Sequence, residues 1–159
     1  GVGGVGGVGF TLVTQNVDDL HERAGSREIV RLHGSLFRWR CSETGEAWSP
    51  PPPPEPIAEF PPRTGRGTLA RPGVVWFGEA LPPEAIERAW AAAEGCGVML
   101  VVGTSGIVHP AAGLPGVAAA AGATVIEVNP EQTPVSSVCA VCVRAGAEVV
   151  EEIAGGLDR

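Results

Sequence analysis

The side chains able to do chemistry in this sequence fall into three polar clusters and one histidine. Gln15-Asn16-Val17-Asp18 follows a short β-rich run, Gly103-Thr104-Ser105 follows a fully apolar one, and Asn129 ends a third. A glycine in such a place lets a ligand approach the backbone, and Thr and Ser hydroxyls cap the next helix or bind phosphate. Taken singly, each cluster is ordinary. Gly-Thr-Ser after a strand reads as a turn with an N-cap, and Asn129 before Pro130 reads as the start of a turn. Their joint occurrence carries the functional reading, because the loops beyond the carboxyl ends of strands in an α/β sheet share one edge, where ligands bind. His33 follows an apolar strand, is freed by Gly34, and suits proton transfer. The same pattern also fits a structural histidine satisfied by a backbone partner. His21 stands at no familiar ligand spacing from His33, and His109 before Pro110 reads as a loop residue, so no metal ligands are expected.

The elements that must position these residues follow from local pattern. Phe10 to Thr14 is a short strand, Asp18 caps a helix through about Ala24, and Gly25 closes it. Ile29 to Leu32 is a second strand. Leu36 to Cys41 alternates apolar residues with arginine and reads as a third. Ser42 to Arg71 is a long irregular stretch with the five-proline run Pro50 to Pro54. Val74-Val75-Trp76-Phe77 is expected as a strand and Pro82-Pro83 opens a helix through about Glu94. Val98 to Val102, apolar throughout, is expected at the centre of a parallel sheet. A small-residue helix over about Ala111 to Ala121, a strand over Thr124 to Val128 and a helix over Ala147 to Leu157 complete the chain. Strands alternating with helices specify an α/β class with a Rossmann-like parallel sheet. Gly1 to Gly9 satisfies G-x-G-x-x-G spacing twice, but a strand follows it where a phosphate loop needs a helix, so it reads as a flexible lead.

Composition narrows the class. At 159 residues, with 44% hydrophobic and 18% charged residues, the chain suits one globular domain. A net charge of −7 argues against a nucleic-acid partner, which calls for a basic patch, and is compatible with a positively charged peptide. No stretch is apolar and long enough to span a membrane, and no signal peptide is visible. Four cysteines in a chain of this size do not make a disulfide scaffold. A cytoplasmic protein is therefore expected. Nothing in the sequence specifies an oligomeric state.

Five phrases in order, TQNVDDLHERAG, RLHGSLFRWRC, RPGVVWFGEALP, LVVGTSGIVHPAA and VIEVNPE, resemble the sirtuins, NAD-dependent protein-lysine deacylases, from about Phe10 onward. The resemblance implies a Rossmann-type NAD domain with a smaller inserted module and an acyl-lysine peptide as substrate. It makes His33 the general base toward the nicotinamide ribose, with Asn16 also in the catalytic site. Gln15, Asn16, Val17 and Asp18 would line the nicotinamide and ribose pocket. Gly103, Thr104 and Ser105 would meet the adenine-side ribose and phosphates, Asn129 the adenosine, and Ala147 the adenine. Val74, Val75, Trp76, Phe77, Gly78 and Glu79 would pair with the substrate peptide and wall the acyl-lysine tunnel; Val75 and Trp76 fit plain core positions equally.

Two departures shape the expectations. The family's opening strand and its Gly-Ala-Gly-x-Ser loop have no match here, so the sheet is expected truncated, with residues 10–159 as the catalytic domain. Many sirtuins also bind zinc through two C-x-x-C pairs; here Cys41 stands alone with Thr44 in its partner's place, so no zinc is expected. Residues 34–73 are then a reduced, zinc-free small module stiffened by proline. Cys139-x-x-Cys142 is expected to be ordinary buried or loop thiols. The alternatives to a deacylase are an impaired remnant that binds a peptide or partner, and a protein ADP-ribosyltransferase.

Overall fold

The computed structural model describes residues 9–50, 57 and 59–151. The glycine-rich lead through residue 8, all but the first residue of the proline run, and the last part of the expected C-terminal helix lie outside the described residues. The chain divides into two units, Gly1–Ile86 and Glu87–Arg159.

In the first unit, β1 (Leu12–Thr14) and β2 (Ile29–Arg31) pair in parallel, Val13 opposite Val30. The crossover between them holds α1 (Leu20–Arg23), whose Leu20 N–H is accepted by Asp18 Oδ1 at 3.1 Å. Asp18 thus acts from just outside a helix shorter than its pattern suggested. Val30 and Leu32 are buried and anchor this small core. A single β2 side chain fastens the crossover: Arg31 donates through Nε to Glu22 Oε1 at 3.0 Å and through Nη1 to the Asn16 carbonyl at 3.2 Å.

β3 (Gly34–Cys41), β4 (Ala47–Trp48) and β5 (Ala70–Val74) form an antiparallel sheet in the order β4-β3-β5. The stretch expected to be irregular from Ser42 to Arg71 therefore contributes β4 and the beginning of β5. A two-residue strand has no periodicity to read. It forms because the Gly45 N–H bonds the Cys41 carbonyl at 3.0 Å, which folds the chain back and seats Trp48 edge-on against Trp39 with ring centroids 5.8 Å apart. The expected strand at Val74–Phe77 is corrected too: β5 ends at Val74, and Trp76 and Phe77 lie in a turn closed by the Glu79 N–H on the Trp76 carbonyl at 2.9 Å. The large apolar residues that end this run, Trp76 and Phe77, are exposed on a loop.

In the second unit β6 (Val98–Val102), β7 (Thr124–Val128) and β8 (Val141–Val143) make a parallel sheet in that order. The long helix α2 (Pro83–Gly95) buries Ala89 and Ala93, and α3 (Leu114–Ala120) buries Leu114 and Ala118. Helix and parallel strand alternate here as in a Rossmann-like α/β fold. β6 is an edge among the described residues, and Val98 and Leu100 are exposed, whereas β7 is central and buries Val125 and Val128. The expectation of a central β6 is corrected: an apolar run reports two apolar faces and says nothing of how many neighbours pair with its backbone. The expected helix at Ala111–Ala121 begins as a 3₁₀ turn over Ala111–Gly113 before α3, and β8 carries no periodic signal that three residues could show.

Gly34 is the tightest backbone constraint. It opens β3 at φ 74°, and a Cβ there would lie 1.9 Å from the Gly73 carbonyl oxygen on β5. Both the left-handed backbone and the contact with a main-chain atom exclude any side chain. Gly34→Ala is expected to lower folding stability by about 2–3 kcal/mol or more, read as a shift of the denaturant midpoint with little change in slope.

Candidate functional site

The first unit gathers its polar residues around the ends of β1 and β2. The Asn16 N–H donates to Thr14 Oγ1 at 3.0 Å while its carbonyl receives the Arg31 guanidinium, so the backbone is held from both sides and the side chain stays exposed. His33 Nδ1 lies 3.0 Å from the Gln15 carbonyl oxygen. A carbonyl only accepts, so Nδ1 carries a proton, and in the neutral ring Nε2 keeps its lone pair. The His33 carbonyl accepts the Val75 N–H at 3.0 Å, and the Val17 carbonyl accepts the Leu36 N–H at 2.9 Å. Gln15, Val17, His33 and Val75 are thereby tied into one backbone framework, and the histidine is both satisfied by a backbone partner and left with a free basic nitrogen.

The turn after β5 is held by charge. Arg71 Nη1 and Arg40 Nη2 donate to the Val74 carbonyl at 2.9 and 3.3 Å. Glu79 pairs with Arg71, receives Arg40 Nη2 at 2.9 Å and accepts the Trp76 N–H at 3.1 Å. The Arg71 guanidinium also stacks 4.2 Å from the centroid of the Trp76 ring. This network presents Trp76 and Phe77 to solvent, Phe77 fully so. The sequence does not single out Arg31, Arg40 or Arg71; the Arg alternation in β3 is a signal for Arg40 alone, and Arg31 on β2 and Arg71 on β5 carry none.

In the second unit Gly103-Thr104-Ser105 follows β6 and Asn129 follows β7, as their placement at strand ends required. The Gly103 N–H bonds the Val128 carbonyl at 3.0 Å. Asn129 Nδ2 donates to the Thr104 carbonyl at 2.7 Å, and its Oδ1 accepts the Glu131 N–H at 3.2 Å. The two clusters are therefore brought together by a direct bond. Ala147 stands exposed in the turn after β8, linked through its carbonyl to the Val150 N–H at 3.1 Å. Among the described residues no hydrogen bond joins it to Asn129.

Cys41 is buried, with Sγ 3.2 Å from Thr68 Oγ1, which lies 2.7 Å from Thr64 Oγ1. These side chains, with Thr44 and Trp48, line a hollow of about 280 Å³. Hydrogen bonds from Thr44 first and Thr68 next bring the Cys41 thiol down to about 7. Among the described residues no three His, Cys, Asp or Glu side chains converge as metal ligands. Cys139 is half-buried and Cys142 exposed on β8. Desolvation foremost, then the neighbouring Cys142 and Glu127, pushes the Cys139 thiol up to about 11.

The Glu79 carboxyl is held below the ordinary carboxylate range, first by the Trp76 N–H and then by the charges of Arg71 and Arg40, against an opposing effect of burial. A depressed folded-state pKa contributes stability above the ordinary value near 4.5 and loses it as pH falls through the depressed value. Acid titration should therefore release the Trp76 turn only below about pH 4.5, followed as a coupled shift of the Glu79 carboxyl and Trp76 indole NMR signals. In Glu79→Gln the indole signal should be insensitive to pH over that range.

The Sir2 family model matches residues 7–110. A Mycobacterium leprae protein named NAD-dependent protein deacylase is 52% identical over 140 residues, which are 86% of this chain and 59% of that protein. An Aquifex aeolicus protein of the same name is 52% identical over 131 residues, 81% of this chain and 54% of that one. Among solved structures, a Sir2 homolog–NAD complex matches with a TM-score of 0.80 at 44% identity, covering 90% of this chain and 56% of the other. A Sir2 complex with a p53 peptide and NAD+ matches at 0.82 and 29% identity, covering 93% and 64%. The chain thus spans between about half and two thirds of the length of these proteins.

Proposed function

This chain belongs to the Sir2 family, and from that premise we propose that it acts in NAD-dependent removal of acyl groups from protein lysines. The observation that carries the reading is the 3.0 Å contact of His33 Nδ1 with the Gln15 carbonyl, which commits the Nδ1–H and leaves Nε2 to take a proton. Its relatives' names and the NAD and peptide complexes among similar structures support it.

The residues present fit a dinucleotide. Gly103 exposes its backbone at φ 60°, the Ser105 side chain is exposed, and the Asn129 amide keeps one N–H after bonding Thr104. Such donors suit ribose hydroxyls and phosphate oxygens. NAD, when bound, would supply an electrophilic ribose carbon that bonds the acyl oxygen as its bond to nicotinamide breaks. By resemblance to the family, Gly103, Thr104, Ser105 and Asn129 would meet the adenosine part, with Ala147 near the adenine. By the same resemblance, Gln15, Asn16, Val17 and Asp18 would meet the nicotinamide and its ribose. His33 Nε2 accepts the proton of a ribose hydroxyl, and the Gln15 carbonyl stabilises the imidazolium that forms. Asn16, its backbone pinned by Thr14 and Arg31, keeps an exposed carboxamide that would meet the nicotinamide ribose. The turn from Val74 to Glu79, held by Arg40 and Arg71, would border the acyl-lysine peptide, and exposed Trp76 and Phe77 would cover its acyl-lysine side chain. We propose further that the small module works without zinc, the Cys41–Thr68–Thr64 chain linking β3 to the approach to β5, and that the protein is cytoplasmic, in keeping with four free thiols.

The test is incubation with NAD and an acetyl-lysine peptide, following nicotinamide and deacylated peptide by mass spectrometry. Both should appear in equal amounts. His33→Ala should lower the rate at least about a hundredfold with the circular dichroism spectrum unchanged. ADP-ribose attached to protein in place of deacylated peptide would favour the transferase alternative. A folded chain that releases no nicotinamide would favour the peptide-binding remnant.

A further inference from the structure

Glu127 lies on the central strand β7 and is completely buried. An ionised carboxylate survives there only if its oxygens are fully engaged. They accept the Thr133 hydroxyl, the Ser136 hydroxyl at 2.5 Å and Arg144 Nη1 at 2.7 Å. The donors support one another: Arg144 Nη2 and the Thr133 N–H both reach Ser136 Oγ, at 3.1 and 3.0 Å, and Arg144 Nη1 also bonds the Glu131 carbonyl at 2.9 Å. Burial works to raise this carboxyl, and the hydrogen bonds from Ser136, Thr133 and Arg144 outweigh it, so the group is held below the ordinary range.

All the donors sit on the segment that leaves β7 and returns through β8, and that segment supports the loop after β6. Gly106, buried at φ 66°, seats against Val135 and Thr133: a Cβ on it would lie 2.7 Å from Val135 Cγ2 and 3.4 Å from Thr133 Oγ1. Asn129, two residues beyond Glu127, bonds the Thr104 carbonyl. Pinning Thr133 and Ser136 thus holds the surface against which Gly106 seats, while Arg144, through the Glu131 carbonyl, holds the residue whose N–H bonds Asn129 Oδ1 at 3.2 Å.

We propose that Glu127 is a positioning residue for nucleotide binding: through Thr133, Ser136 and Arg144 it sets the Asn129–Thr104 contact, and with it affinity for the adenosine-diphosphate part of NAD. The proposal rests on the NAD reading above. A glutamine can keep its carbonyl oxygen toward Ser136 and Arg144, but its Nε2 then faces Thr133 Oγ1, whose hydroxyl must turn from donor to acceptor, and the charge that holds Arg144 is lost.

The test uses the full chain, with ADP-ribose as the probe and hydrogen exchange as an independent readout. In Glu127→Gln the strand amides of β6 and β7 should keep their protection, while those of Gly103, Gly106, Asn129 and Val135 exchange at least about tenfold faster. The ADP-ribose dissociation constant should rise about tenfold or more. In the deacylation assay KM for NAD should rise with it, with kcat and the peptide KM within about twofold. Thr133→Val should follow the same course and Thr133→Ser should restore wild-type affinity; this pair carries the test if Glu127→Gln does not fold. Unchanged exchange at the loops, or equal losses in nucleotide affinity, peptide KM and kcat, would overturn the proposal. If the wild-type chain itself binds no ADP-ribose, the NAD reading fails, and the exchange pattern alone decides whether Glu127 positions the loops.

Discussion

A loop leaving the end of a β-strand carries N–H and C=O groups that no ladder satisfies, and nearly every residue assigned chemistry here sits on such a loop. The chain meets that constraint repeatedly in one way: an ionised side chain rooted in or beside a strand reaches out to hold the loop's backbone or its polar side chains. Arg31 on β2 takes the Asn16 carbonyl. Arg40 on β3 and Arg71 on β5 take the Val74 carbonyl. Glu127 on β7 takes the hydroxyls of Thr133 and Ser136. The strands are short, three residues in β1, β2 and β8, so their own ladders could not hold the loops still.

The anchors differ in kind because their surroundings differ. Arg31 and Glu22 meet at a partly exposed surface, where an ion pair contributes little stability and its use lies in orienting the loop. Arg71 adds stacking on Trp76 to its pairing with Glu79, so it orients a ring as well as a turn. Glu127 is the buried case. Its carboxylate has no water to fall back on, and removal of any one donor would leave a desolvated charge short of a partner. Such a network fixes geometry more sharply than exposed pairs do, which suits a loop that must present backbone and hydroxyl donors in set positions.

His33 shows how the same constraint becomes chemical. Its carbonyl is spent on Val75 and its Nδ1–H on Gln15, so the loop after β1 and the turn after β5 are joined through one residue. Satisfying the backbone leaves a single atom, Nε2, without a structural task in this framework. Gly34 makes that arrangement possible, because only a residue without Cβ lets β3 start so close to Gly73 on β5.

The amino-acid sequence by itself determined the α/β class, the bounds of β7, the helix at α2 and the placement of Gln15–Asp18, Gly103–Ser105 and Asn129 at strand ends. These rest on local periodicity, on proline and glycine, and on a run of motif phrases, all of which are contiguous in the chain. Only the tertiary structure decided that β6 is an edge among the described residues, that Trp76 and Phe77 sit on a turn, and that β4 and β8 exist, because strand pairing depends on partners far away in sequence. It alone also revealed Arg31, Arg40, Arg71 and Glu127 as the anchors. A charged residue on a strand looks the same in sequence whether it faces solvent or a carbonyl many residues distant, and its role is set by the backbone groups that folding brings within reach of its side chain.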